Sequence, residues 1–166
     1  MFQTIDPKQL NKNVFSLLEE QWMLITAGEE TKFNTMTASW GGLGVLFHKN
    51  VATIYVRPQR YTFEFLEQQS EFTLSFFDVS HRPALQLLGS KSGRDTDKIK
   101  ESGLTPITTG TTTPYFEEAE LVLVCRKLYA QDISPEGFID PSLHSFYEKK
   151  DYHRMYIGEI VQAFTK

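Results

Sequence analysis

Residues 33–47 read Phe33-Asn34-Thr35-Met36-Thr37-Ala38-Ser39-Trp40-Gly41-Gly42-Leu43-Gly44-Val45-Leu46-Phe47. Phe33, Thr35, Thr37 and Ser39 fall on one face of an extended chain, and Asn34, Met36, Ala38 and Trp40 on the other. This period of two, with its threonines, predicts a β-strand. Gly41, Gly42 and Gly44 are expected to break or bulge it and to let another backbone or a ligand come close. The first face carries three hydroxyls and no charge, which suits neither a dry core nor an ordinary wet surface. Small side chains there leave main-chain N–H and C=O groups accessible. A flat heterocycle with a polar edge can lie across such a strand. A threonine-rich edge strand is the plainer reading of the same residues.

Composition sets the bounds around this stretch. At 166 residues the chain is read as one domain, residues 1–166. Its 13 Phe, 7 Tyr and 2 Trp supply a core of the bulky kind that sheets favour. The net charge of −4 gives no basic footprint for nucleic acid. Cys125 is the single cysteine, so no intrachain disulfide exists and a reducing compartment is expected. The first residues lack the basic and apolar regions of a signal peptide, and apolar runs such as Leu121 to Cys125 are too short to span a bilayer. The expectation is a soluble, cytoplasmic protein that contacts neither nucleic acid nor membrane.

Outward from residues 33–47, the pattern predicts further short strands. Trp22 to Ala27 is apolar and pairs with the Phe33 strand across a turn at Gly28 to Thr31. Val51 to Arg57, Glu71 to Phe77, Ala119 to Tyr129 and Arg154 to Phe164 complete the set, with Gly158 a bulge in the last. Asp6-Pro7 starts a short helix or two reaching about Glu20, Thr62 caps a helix to about Gln69, and Pro83 opens one that Gly89 closes. A last short helix from Asp97 ends at Gly103. About seven strands with short helices imply an antiparallel barrel or sandwich. No Gly-x-Gly-x-x-Gly joins a strand to a helix, which argues against a Rossmann dinucleotide site.

Two basic clusters stand out. Arg57-Pro58-Gln59-Arg60-Tyr61-Thr62 joins a strand end to a helix start and offers guanidiniums, a phenol, a hydroxyl and free helix N–H groups, the donors a phosphate needs. The alternative is surface charge with Thr62 as a cap. Lys91-Ser92-Gly93-Arg94, with Lys98 beyond it, can turn tightly and present backbone N–H groups to an anion, or be a solvated basic loop. His48, His81, His144 and His153 have no metal-ligand spacing. His153, just before the last strand, sits where a barrel mouth would lie, although a lone histidine is more often structural.

Taken in order, Asn34-Thr35-Met36-Thr37-Ala38-Ser39-Trp40, Arg57-Pro58-x-x-Tyr61-Thr62, Lys91-Ser92-Gly93-Arg94-Asp95-x-Asp97-Lys98 and His153-x-x-x-x-Gly158-Glu159 resemble the flavin reductase-like, FMN-binding split-barrel proteins, in particular the flavoredoxin-like branch. The resemblance runs from about Ile5 to Val161. It implies a mainly β fold, an antiparallel Greek-key split barrel with a few short peripheral helices, assembled as a homodimer with FMN at a cleft. It implies that residues Thr35 to Trp40, with Asn34, run along the isoalloxazine. Arg57, Arg60, Tyr61, Thr62 and the Lys91, Ser92, Gly93, Arg94 and Lys98 loop would gather at the phosphate. His153 falls where relatives place a histidine beside the flavin or nicotinamide, the catalytic position. Relatives often carry Cys before the Gly at position 89, where this chain has Leu88, so no thiol role applies there. The activity implied is an NADH- or NADPH-dependent flavin or small-acceptor reductase. An electron-transfer flavoprotein serving a redox partner protein, or a non-catalytic flavin-binding protein, would need the same FMN site.

Overall fold

The computed structural model describes residues 1–166. Its strands are β1 (Gln3–Ile5), β2 (Met23–Glu29), β3 (Lys32–Ala38), β4 (Gly41–Leu46), β5 (Lys49–Val56), β6 (Glu71–Phe76), β7 (Pro106–Ile107), β8 (Tyr115–Phe116), β9 (Leu121–Asp132) and β10 (Arg154–Thr165). The α-helices are short: α1 (Val14–Ser16), α2 (Tyr61–Gln68), α3 (Arg82–Ser90) and α4 (Lys98–Ser102). The fold is mainly β with a few short helices, as the resemblance implies.

One antiparallel sheet carries the order β3-β2-β6-β9-β10-β5-β4, with β1 added on β10, while β7 and β8 pair separately. The two edges, β3 and β4, are consecutive in sequence and are joined only by Ser39 and Trp40. Met36, Ile25, Leu74, Leu123, Ala163 and Ile54 come from six different strands yet share one interior core. The sheet therefore curls around that core and leaves a seam between β3 and β4, a barrel split at one side. A second core, including Leu24, Leu85, Leu88, Tyr115 and Phe164, fills the space under α3, α4 and the β7–β8 ribbon on the sheet's outer face. Burial on both faces explains why β2 and β9 read as apolar runs without alternation.

Gly158 lies at the bulge expected for it, where the β9–β10 register shifts. A Cβ there would meet the Phe72 ring at 2.8 Å, so the position also admits that ring into the core. Other expectations need correction. Of the break or bulge expected at the glycine run, the structure has the break. Gly41 starts β4, which crosses to the other edge of the sheet and pairs with β5. The turn after it is Phe47-His48, both at positive φ. Gly89 does not end α3, which continues to Ser90; a Cβ there would approach Thr37 Cβ at 3.2 Å, so the glycine lets α3 sit close on β3. Thr62 is not the cap of α2. Arg60 occupies that position without a side-chain cap bond, and the Thr62 hydroxyl is buried, accepting from Asn34 Nδ2 at 2.8 Å.

Candidate functional site

β3 hydrogen-bonds to β2 on one side only, so its other edge is free to offer main-chain donors and acceptors. The seam left by the chain's crossing to β4 exposes that edge. Two cavities open along it. One, of about 950 Å³, is walled by Asn34, Tyr61, Gly93, Arg94 and Lys98 among others. The second, of about 260 Å³, is walled by Met36 to Trp40, Tyr55, Arg57, Arg60 and His153. Residues far apart in sequence thus meet on one strand.

The meeting is tight. A Cβ on Gly93 would fall 2.2 Å from Asn34 Oδ1 and 3.1 Å from the Tyr61 ring, so only glycine lets the 91–98 loop close on β3 and α2. Arg60 Nη1 donates to Gly89 O at 3.1 Å, and Lys98 Nζ donates to Leu88 O at 2.8 Å and Lys91 O at 3.1 Å. Both cations therefore rest on the C-terminal turn of α3, whose carbonyls carry partial negative charge. No carboxylate lies within ion-pair distance of either. Burial, and then the Arg60 charge, push the Lys98 ammonium down to about 8. Burial lowers Arg60 as well. A buried Lys98 and a half-buried Arg60 that repel each other and have no acid paired to them suit an anion.

The other basic residues are already engaged. Arg57 Nη1 pairs with Asp151 at 2.7 Å, Nη2 donates to Phe146 O at 3.0 Å, and Gln59 holds the same carboxylate at 2.7 Å. Arg94 pairs with Glu64, donates to Gln59 O and lies over the Tyr61 ring. Lys91 pairs with Glu101. The Ser92 hydroxyl accepts from Arg94 N at 3.2 Å. The hydroxyls of β3 are also spent within the protein: Thr35 is buried against Thr26 and Ile25 O, and Thr37 donates to Leu85 O at 2.5 Å. The hydroxyl face is covered by α3, and what β3 leaves open is its edge and its end at Ala38, Ser39 and Trp40.

His153 stands at that end. Its ring lies 5.2 Å from Trp40, and its Nδ1 is 2.8 Å from Tyr147 Oη. Burial first, then the Arg57 charge, lower its pKa to about 4, with Asp151 opposing. The ring is neutral at ordinary pH. Tyr147, Tyr55 and Asp151 have no signature in the sequence that marks them as site residues, although Asp151 and Tyr147 lie close to His153 along the chain.

The match that decides the family is now in place: the model for the flavin reductase like domain fits residues 15–166. The chain belongs to the flavin reductase-like family. Solved structures agree in fold. The FMN-binding domain of a flavin reductases-like enzyme from Shewanella baltica superposes with a TM-score of 0.72 at 18% identity, covering 99% of this chain and 77% of that one. Flavoredoxin from Methanosarcina acetivorans gives 0.69 at 21% identity, over 98% and 76%. The NADH:FAD oxidoreductase SgcE6 of Streptomyces globisporus, in complex with NAD and FAD fragments, gives 0.65 at 16%, over 88% and 74%. No curated protein matches the chain.

For a flavin reductase-like chain the group to test is FMN, and the residues fit it. The acid-free pair Arg60 and Lys98 suits a phosphate, and the open β3 edge suits the heteroatoms of a flavin ring. No helix is long and apolar enough to cross a membrane.

Proposed function

We propose that this flavin reductase-like protein holds FMN along the β3 edge and uses electrons from NADH or NADPH to reduce a small acceptor. The observation that carries the reading is the convergence of two cations on the C-terminal turn of α3 with no acid paired to either: Arg60, which lines the cleft with Trp40 and His153, and Lys98, which lines the larger cavity beside Asn34. When bound, the flavin supplies the electron-transfer chemistry. Arg60 and Lys98 bind its phosphate, with the adjoining Tyr61, Ser92, Gly93 and Arg94 shaping the wall. The 34–40 main chain orients the ring. His153, neutral and fixed by Tyr147, presents a hydrogen bond or a proton beside the reacting face.

We take the working form to be a cytoplasmic homodimer. The edge strand β4 and the turn after it support it by exposing Val45, Leu46 and Phe47, apolar surface of a kind that a second chain can cover.

The test is reconstitution followed by reduction. The protein takes up FMN in preference to riboflavin, which lacks the phosphate, and anaerobic addition of NADH or NADPH bleaches it rapidly. Equal affinity for the two flavins removes the phosphate site. Bleaching only by a reduced protein partner replaces the reductase with an electron-transfer role.

A further inference from the structure

A third cavity, of about 600 Å³, opens on the far side of Trp40. Phe15, Leu18, Phe138, Leu143 and Phe146 supply much of its wall, and Trp40 meets Phe146 edge to face at 5.5 Å. Phe15, Trp40, Leu143 and Phe146 are also exposed, so large apolar side chains that would ordinarily avoid water converge on one hollow. Glu19 is the one charged residue in the wall. The cavity shares Ser39, Trp40 and Tyr55 with the smaller cleft that holds His153, so the two adjoin with the Trp40 indole in the wall of both.

These features decide what fits. Aromatic edges and faces favour a planar ring. The absence of any cation and the presence of Glu19 oppose an anion, so this hollow does not suit the phosphates of a nucleotide. The Tyr55 and Tyr147 rings add amphipathic lining that can meet a carbonyl. We propose that this cavity binds the electron acceptor, and that the acceptor is an uncharged, planar ring carbonyl compound of the quinone class. The proposal rests on the reading of the chain as a nicotinamide-dependent flavin reductase. The balance closes within that reading. The reduced nicotinamide gives up two electrons and one proton, solvent gives a second proton, and the quinone becomes the hydroquinone.

The test uses 1,4-naphthoquinone and its 2-sulfonate, which differ by one charge on the same ring. Each is titrated calorimetrically into the FMN-free and FMN-loaded protein, and into Leu143→Asp and Phe15→Asp. Both side chains are exposed, which spares the fold, and neither lines the flavin cleft. The parent quinone is expected to bind at least tenfold more tightly than the sulfonate, with either aspartate variant weakening it at least tenfold and leaving FMN affinity unchanged. Equal binding of the two probes, no binding of either, or no effect of both variants overturns the proposal. So does a wild-type dimer that either variant splits without changing quinone affinity, since a second copy then covers the hollow. A chain that binds the quinone as expected but no FMN upholds the ring site and removes the reductase reading instead.

Discussion

The phenol oxygen of Tyr147 lies 2.8 Å from Nδ1 of His153. We assign the phenol as the donor to Nδ1, which leaves the imidazole proton on Nε2. Ring packing by Trp40 and Tyr152 around the pair fixes both groups. Nitrogen NMR on histidine-labelled protein should find His153 with Nδ1 unprotonated and no titration between about pH 5.5 and 8. Tyr147→Phe should relax the tautomer and leave the other three histidines unchanged. A transition near the ordinary histidine value would refute the assignment.

The same histidine links stability to pH. Its pKa is lowered from 6.5 to about 4 by burial and by Arg57. Between those values the unfolded chain binds more protons than the folded one. The stability contributed by the neutral ring is therefore full above about 6.5 and is lost as pH falls toward 4. Chemical denaturation at pH 4.5 and 7 should give a larger loss for the wild type than for His153→Phe. Parallel losses would count against a buried neutral ring.

Lys98 predicts a pH dependence of the opposite side of neutrality. Its ammonium is lowered to about 8, so it loses its charge as pH rises past that value, while a phosphate monoester with a second pKa of about 6 remains a dianion. FMN affinity should weaken between pH 7 and 9.5. Lys98→Gln should lower affinity at pH 7 by about tenfold or more, on about 1.5–3 kcal/mol for a hydrogen bond to a charged group. That variant should also abolish the pH dependence and most of the preference for FMN over riboflavin. Fluorescence titration reads all three. A wild-type affinity that stays flat to pH 9.5 would assign the phosphate elsewhere.

How much of this was legible depended on whether a residue's partner is local. Alternation in 33–39 marked β3, and the turn chemistry around Gly28 marked the β2–β3 hairpin, because both signals lie within a few residues. The glycine run left a break and a bulge both open, because only the long-range pairing of β4 with β5 shows that a new strand begins at Gly41. Thr62 reads as a cap by position, yet Asn34, 28 residues away, claims its hydroxyl. The two basic clusters were visible, but sorting them was not. Arg57 finds Asp151 and Arg94 finds Glu64 through the fold, whereas Arg60 and Lys98 find only carbonyls. Sequence supplies the charges, and tertiary structure decides which remain free for a ligand.

Gly93 offers a test that separates packing from charge. A Cβ at this position would sit 2.2 Å from Asn34 Oδ1, and Asn34 is the donor to Thr62. Gly93→Ala must push the 91–98 loop away from β3 or turn Asn34 out of its bond. The cost is about 1–3 kcal/mol in stability, the range for a disturbed buried hydrogen bond. FMN affinity should fall with it, since Lys98 moves with the loop. Gly42→Ala, where nothing lies within 4 Å, is the control and should change neither. Unchanged melting of Gly93→Ala would mean that the loop does not close on β3.

Arg57, Arg60 and His153 line one cleft and should fail in three different ways. Arg60 has no acid partner, so Arg60→Ala removes a ground-state contact to phosphate. Affinity for FMN drops about tenfold or more, while the rate at saturating FMN changes little, because that contact is the same before and during electron transfer. His153→Ala keeps FMN affinity and slows reduction by NADH or NADPH, by roughly 10²–10⁴-fold if it moves a proton and less if it only orients. Arg57 is bound to Asp151 and to Phe146 O, and its guanidinium lies 5.0 Å from the Tyr147 ring. It therefore holds the segment that carries Tyr147 and His153. Arg57→Ala should leave FMN affinity within about threefold and slow reduction, acting through His153. In that case the double variant Arg57→Ala with His153→Ala is no slower than His153→Ala alone, because residues in one network are not additive. Stopped-flow reduction and flavin fluorescence read the two quantities separately. An Arg57→Ala protein that loses FMN as severely as Arg60→Ala would put the phosphate on Arg57. Additive losses in the double variant would give Arg57 a role of its own in the reaction.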